Sequence, residues 1–227
     1  MNQVIKNIIT ATTPAIILST AKAIFLSIRE AYSNQKELGE KGSEWYDISY
    51  DKTDHYKRHY SLSPYYFLWT VISDRIARAG VDFILEIGCG TGQLACFLRD
   101  NGTKQYHGFD FSSKRIAHAI KTCPEFAFSL QDAFQSNLYT TYNYDAVICT
   151  EFLEHVERDV EILNRLRSGA LFYGTVPNFP YISHMRHFKS KHEVIHRYGR
   201  FFENLQVDSF LANNRDKKFY LLEGRII

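Results

Sequence analysis

The chain has 227 residues, enough for one sizeable hydrophobic core and a small appended lobe. Hydrophobic residues make up 45% and charged residues 23%, which excludes wholesale disorder; 27 Lys and Arg against 25 Asp and Glu leave a net charge of +2, with no general bias toward nucleic acid. Four cysteines, Cys89, Cys96, Cys123 and Cys149, form no C-x-x-C pair and sit in apolar segments, so a reducing cytoplasmic setting is expected rather than a disulfide scaffold or zinc knuckle.

Residues 15–28 (AIILSTAKAIFLSI) are apolar, but Lys22 interrupts them and Pro14 stands just upstream. The run falls short of the roughly 18 uninterrupted apolar residues that mark a bilayer span. The preceding segment is weakly basic (Lys6) and no A-x-A site follows, against a signal peptide. A helix with an apolar face is expected, packing on its own body or a sister subunit, or lying on a membrane surface. Homodimerisation and peripheral membrane contact through residues 1–30 both stay open. Residues 31–61 are polar and tyrosine-studded, with Tyr32, Trp45, Tyr46, Tyr50, Tyr56 and Tyr60. Residues 1–62 are read as a helical extension and lid, and 63–227 as the main domain. A helix then begins with Ser63 as N-cap and Pro64 at its first position. Phe67, Leu68, Val71, Ile72, Ile76 and Ala79 recur at helical spacing, and Gly80 ends it.

From Val81 onward β-rich runs alternate with helical stretches. The runs are FILEIG (83–88), QYHGFDF (105–111), FAFSL (126–130), YDAVICT (144–150) and ALFYGTV (170–176). Residues 93–100, 112–122 and 154–166 between them carry apolar residues three and four apart. That alternation predicts an α/β doubly wound, mainly parallel sheet with helices on both faces. Ser190 and Glu193 form a capping box that opens another helix. The runs 206–212 and 218–226 are joined only by Asn213-Asn214-Arg215-Asp216, a linker short enough to force an antiparallel pair.

Directly after the first run comes Glu86-Ile87-Gly88-Cys89-Gly90-Thr91-Gly92. Its glycines allow a tight turn and close approach of a ligand to the backbone. The spacing is G-x-G-x-G, not the G-x-G-x-x-G of a dinucleotide fingerprint, which disfavours a dehydrogenase. Glu86 would repel a pyrophosphate and accept hydrogen bonds from a cationic or hydroxyl-bearing ligand. Asp110 ends the second run, where a carboxylate can hold both hydroxyls of a ribose. Phe111 can cover one face of an adenine ring, and Asp132, just past the third run, can accept from an exocyclic amine.

These residues make the chain resemble the class I S-adenosylmethionine-dependent methyltransferases over roughly residues 80–227. The resemblance rests on LEIGCGTG (85–92), GFDFS (108–112), QDAF (131–134) and YDAVICTEFLEHV (144–156) in order. It implies a seven-stranded sheet with an antiparallel last strand. It also implies S-adenosylmethionine as cofactor, with Glu86, Gly88, Cys89, Gly90 and Gly92 near the methionine moiety and Asp110 on the ribose. Phe111, Asp132 and Ala133 would surround the adenine. Thr150 and Glu151 would lie near the transferred methyl, and Tyr46 and Tyr56 in a lid suited to a sulfonium.

A helix starting near Glu151 would put Glu151, Glu154 and His155 on one face. His155 is the first choice for a general base on a hydroxyl acceptor, followed by His187 and His184. A similar E-x-x-E-H in small-RNA 2′-O-methyltransferases supplies metal ligands. By that resemblance Glu151, Glu154, His155 and His184 form an alternative metal set, although no basic nucleic-acid module accompanies it here. The loop 177–200 holds four of the nine histidines, and from His184 to Arg200 five Lys or Arg face one acid. Arg186, His187 and Tyr181 are therefore the expected contacts to an anionic small-molecule or glycan acceptor. A partner-binding protein that keeps the fold without catalysis is the remaining reading.

Overall fold

Strand runs apolar at nearly every position can be buried only if both faces of their sheet are covered. The computed structural model describes residues 39–212 and 216–227. In it the runs become β1 (Phe83–Ile87), β2 (Gln105–Asp110), β3 (Ala127–Leu130), β4 (Ala146–Thr150), β5 (Leu171–Pro177), β6 (Gln206–Leu211) and β7 (Lys218–Arg225). They form one sheet in the order β3-β2-β1-β4-β5-β7-β6. The first five strands are parallel, and β7 runs antiparallel between β5 and β6. This is the doubly wound, seven-stranded arrangement expected. The apolar run 15–28 and the turn residues 213–215 lie outside the described residues.

Helices α1 (Ser43–Lys52), α2 (Tyr66–Arg78), α3 (Gln93–Asp100), α4 (Ser113–Thr122), α5 (Leu138–Thr141), α6 (Asp159–Leu163) and α7 (Lys191–Tyr198) complete the described elements. Alternate strand residues feed opposite layers. Ile84 and Ile148 pack with Trp69, Ile72 and Ile76 of α2 and Leu94 and Leu98 of α3. Leu85, Ile87 and Val147 pack with Tyr139, Ile162, Leu163 and Tyr198 on the other side.

Helix α2 starts later than the sequence suggests. The Ser63 hydroxyl accepts from the Tyr65 N–H (3.3 Å) and its carbonyl from the Tyr66 N–H (3.1 Å), so Ser63 closes a turn before the helix instead of capping it. Its end is as expected. Gly80, at φ +66°, donates to the Ala77 carbonyl, and Val81 donates to the Ile76 carbonyl, a Schellman arrangement. At α7 the Ser190 hydroxyl accepts the Glu193 N–H (3.2 Å), while the Glu193 carboxylate reaches back to the Lys189 N–H (2.7 Å).

Residues Glu40 to Ile227, the stretch 40–62 included, form one compact unit. Asp47 of α1 fastens this N-terminal portion to the start of α4, accepting from the Ser112 and Ser113 hydroxyls and the Lys114 N–H. A carboxylate there is favoured by the positive end of the helix. Among the described residues no helix is long and apolar enough to cross a membrane.

Candidate active site

Strand β1 lies between β2 and β4, so the chain turns opposite ways from β1 and β4 and their C-terminal ends splay into a crevice. Two adjoining cavities occupy it. The smaller, about 110 Å³, is lined by Asp110, Phe111, Asp132 and Ala133 among others. The larger, about 500 Å³, takes in Glu86, Cys89, Gly90, Thr150, Tyr56 and Tyr181. Tyr46, Gly88, Arg115, Glu151 and His155 border both.

The loop after β1 explains its glycines. Gly88, Gly90 and Gly92 have φ of +71°, +53° and +76°, a region costly for residues with a Cβ. The Gly88 and Cys89 N–H groups both reach the Phe109 carbonyl (2.9 and 3.1 Å), tying the loop to β2. Asp110 completes the tie, accepting from the Gly90 N–H (3.0 Å) and the Ser112 N–H (2.8 Å). A Cβ on Gly88 would stand 2.6 Å from the Phe152 ring, and one on Gly92 3.0 Å from Ala119. Gly92 supports α3 against α4 and borders neither cavity.

Glu86 is buried and accepts from the Tyr106 hydroxyl. Burial pushes its pKa up to about 8, with the tyrosine hydrogen bond opposing and Asp110 adding to the rise. Burial likewise raises Asp110, opposed first by the Arg115 charge, and lifts Glu151 to about 7 against hydrogen bonds from Thr175 and Tyr65. Buried carboxyls held near neutrality are a receptor for positive charge: a cationic ligand restores their ionisation. The Tyr46 and Phe111 rings, tilted against each other with centroids 5.3 Å apart, both line the smaller cavity. Gly90 faces open space and the aromatic and acidic residues line both chambers, so the residues present fit the cofactor implied by the sequence. Tyr60 is not among them, since its hydroxyl is bound to Asp100.

The stretch 151–156 departs from the expected helix. Glu151 sits at φ +52°, Leu153–His155 make a single 3₁₀ turn, and helix resumes only at α6. The backbone groups a helix would use are taken elsewhere. The Glu151 N–H bonds the Thr175 hydroxyl (3.0 Å), which donates in turn to the Glu151 carboxyl (3.0 Å). The Glu154 carbonyl accepts the Met185 N–H (2.7 Å), and the Arg186 guanidinium holds the carbonyls of Leu153, Val156 and Glu157.

Three of the four alternative metal-set residues still converge. Donor atoms of Glu154, His155 and His184 lie within 4.8 Å of one another. His155 Nδ1 faces the Ser183 carbonyl (3.0 Å) and His184 Nδ1 the Phe179 carbonyl (3.1 Å). A carbonyl only accepts, so both Nδ1 atoms carry the proton and both Nε2 atoms keep a lone pair. Burial depresses both imidazoles to about 4, His184 adding to the effect on His155. Glu154 is 0% exposed, and among the described residues neither carboxylate oxygen has a hydrogen-bond partner, His155 Nε2 standing 3.9 Å from one of them. An orphaned carboxylate beside two carbonyl-oriented imidazoles fits a divalent metal. Glu151 stays with Thr175 and is not in the cluster.

The basic loop behaves differently from the expectation. Arg186 does not line either crevice cavity; besides the carbonyls it holds, it pairs with buried Asp159 (3.1 Å). Arg197 and the Tyr198 hydroxyl bind the same carboxylate at 2.6–2.8 Å. His187 is exposed and borders a separate surface depression with His192 and His196. Neither Arg186 nor His187 lines the crevice: the charge of Arg186 serves a buried acid, because an unpaired Asp159 would be costly. Tyr181 does line the larger cavity. Sequence reasoning missed Tyr65, Thr175 and Arg115. Only Arg115 left a signal, a Lys-Arg pair at a helix start, where the dipole disfavours cations.

Residues 84–169 match a family model described as a methyltransferase domain. The ubiquinone biosynthesis O-methyltransferase of Aeromonas salmonicida (strain A449) is 26% identical over 147 residues, covering 61% of this chain. The chain spans 59% of that relative's length. The structure of N-methyltransferase NodS from Bradyrhizobium japonicum WM9 with S-adenosyl-l-homocysteine matches with a TM-score of 0.58 at 16% identity, over 72% of this chain and 88% of that one. Magnesium protoporphyrin IX methyltransferase (ChlM) from Synechocystis PCC 6803 with the same ligand gives 0.56 at 18% identity, over 70% and 82%. At such identities the structural likenesses speak for the fold.

Proposed function

We propose that the chain is a class I S-adenosylmethionine-dependent methyltransferase that transfers a methyl group to a hydroxyl of a small-molecule or sugar-containing acceptor. When bound, the cofactor supplies a methyl already activated on a sulfonium. The protein's part is to align acceptor and methyl at about 3 Å and exclude water. Asp110 is assigned to the ribose, Phe111, Asp132 and Ala133 to the base, Glu86 and the loop at Gly88–Gly90 to the methionine moiety, and Thr150 and Glu151 to the neighbourhood of the transferred methyl. Tyr46 and Tyr56 cover it from the N-terminal side. The larger cavity would take the methionine end of the cofactor on its Glu86 and Gly90 side and the acceptor on its Tyr181 side.

The observation that carries oxygen over nitrogen is the His155 imidazole, whose Nδ1–H is committed to Ser183, leaving Nε2 to take the acceptor's proton. A neutral amine needs no such base. The relatives' names cover both O- and N-methylation, so they do not decide the point. Incubation with labelled S-adenosylmethionine and panels of hydroxyl- and amine-bearing acceptors, read by mass spectrometry, tests this. Methylated hydroxyl is expected, and methyl found only on nitrogen removes the proposal. Arg186 and Arg197 are engaged by Asp159, so this proposal does not rest on an anionic group in the acceptor.

A second reading, a metal-assisted RNA 2′-O-methyltransferase, is favoured by the cluster of Glu154, His155 and His184. These three residues would hold a divalent ion, which would lower the pKa of an acceptor hydroxyl. Elemental analysis of the purified protein, with Glu154→Gln as control, separates the readings. Stoichiometric metal lost in the variant selects the second; metal-free protein active in chelator selects the first.

A further inference from the structure

We propose that Arg115 is the receptor for the amino-acid carboxylate of S-adenosylmethionine, held where the two cavities meet; this rests on the cofactor reading above. The side chain is 9% exposed, and among the described residues its Nε and Nη2 have no hydrogen-bond partner. Buried guanidinium donors without acceptors are costly and rare. The rings of Tyr46 and Tyr56 lie 4.8 and 4.5 Å from its Cζ. They stabilise the charge but offer its N–H groups no acceptor.

Nearby Asp110 does not fill that role. Its two oxygens already accept from the Gly90 and Ser112 N–H groups. A first-turn arginine is also opposed by the helix dipole of α4, whose Ser112 cap binds the Arg115 N–H. The arrangement is consistent with an anion that arrives with the ligand. Charges around the crevice are sorted accordingly. Glu86 and Glu151 border the larger cavity on the glycine-loop and β4 sides, suited to ammonium and sulfonium, and Arg115 is suited to the carboxylate. The other Lys or Arg on that cavity, Lys217, lies over the Phe179 ring of the loop after β5. A planar fork of donors matches a carboxylate with two parallel hydrogen bonds.

The test compares S-adenosylhomocysteine with 5′-methylthioadenosine, which keeps the nucleoside and thioether but lacks the amino-acid tail. Calorimetry is run on wild type, Arg115→Met and Arg115→Lys. The methionine variant should bind S-adenosylhomocysteine roughly 10- to 100-fold more weakly, while methylthioadenosine affinity stays within about twofold. The lysine variant, with charge but no fork, should fall between. If Arg115→Met does not fold, the ratio of the two affinities in Arg115→Lys decides. Equal losses for both ligands would reduce Arg115 to a prop for the tyrosines and overturn the proposal. Unchanged S-adenosylhomocysteine affinity would also overturn it, and would move the anion to the acceptor. Wild-type protein that binds neither nucleoside overturns the cofactor reading and this proposal with it.

Discussion

Asp110 links the glycine loop to the start of α4 through two backbone N–H groups, so its removal loosens the loop as well as deleting a ribose partner. Asp110→Ala is expected to weaken S-adenosylhomocysteine binding by about tenfold or more, measured by calorimetry; normal binding would make the ribose assignment wrong. Glu86 adds a pH dependence. Burial raises its pKa to about 8, so in the empty site the carboxyl is mostly protonated at neutral pH, whereas a cationic cofactor favours the ionised form. S-adenosylmethionine affinity should therefore rise as pH climbs toward 8 and level off above it. Buffers of different ionisation heat should show proton release below that value, and Glu86→Gln should reduce the dependence to the part left by Glu151, which burial lifts to about 7. His155→Ala should lower turnover by roughly 10²-fold or more while cofactor affinity changes little, which separates a proton acceptor from a cofactor ligand. Glu86, Asp110 and Phe111 were legible because each lies near, at or just past the C-terminal end of a strand run at a fixed offset. Arg115 left only the weak signal of a cation at a helix start, because what distinguishes it is an absence of hydrogen-bond partners, and partners come from distant parts of the chain.

At the level of elements, the loop between β1 and α3 is the most constrained piece. Gly88→Ala would place a Cβ 2.6 Å from the Phe152 ring in a backbone conformation that L residues avoid. The substitution should cost roughly 1–3 kcal/mol. For a domain of this size that lowers Tm by about 2–4 °C per kcal/mol, readable by calorimetric scanning, and cofactor binding should be lost with it. Strand runs and the helix ends at Gly80 and Ser190 were readable because they depend on local patterns of apolar residues and caps. The segment 151–156 was not. Its apolar residues have helical spacing, yet Thr175, Met185 and Arg186 claim its backbone groups, a competition that no local window contains. The Ser63 turn is a smaller case of the same kind, a serine satisfying a turn where helix capping was expected.

Across the whole molecule, the basic loop is joined to the β4 side through Asp159, which is fully buried and bound by Arg186, Arg197 and Tyr198. Asp159→Asn leaves two guanidinium groups without their counter-charge and should destabilise the fold by roughly 3–5 kcal/mol. Denaturant titration checks it; a loss under about 1 kcal/mol would show that the arginines find other partners. Because Arg186 also holds the carbonyls of Leu153, Val156 and Glu157, the same variant should disturb His155. Composition, alternating periodicity and the motif order from Glu86 to Val156 were enough, from the sequence by itself, to determine the α/β class and, through the family resemblance, a seven-stranded sheet with an antiparallel last strand; the order of the strands came from the structure. Those features repeat within short windows and reflect backbone periodicity. Only the tertiary structure decided that Arg186 and Arg197 serve Asp159, that Glu154, His155 and His184 converge, and that Arg115 stands buried without an acceptor. Pairing of charges across tens of residues is set by where the folded chain brings them, and burial then fixes how strongly each needs its partner.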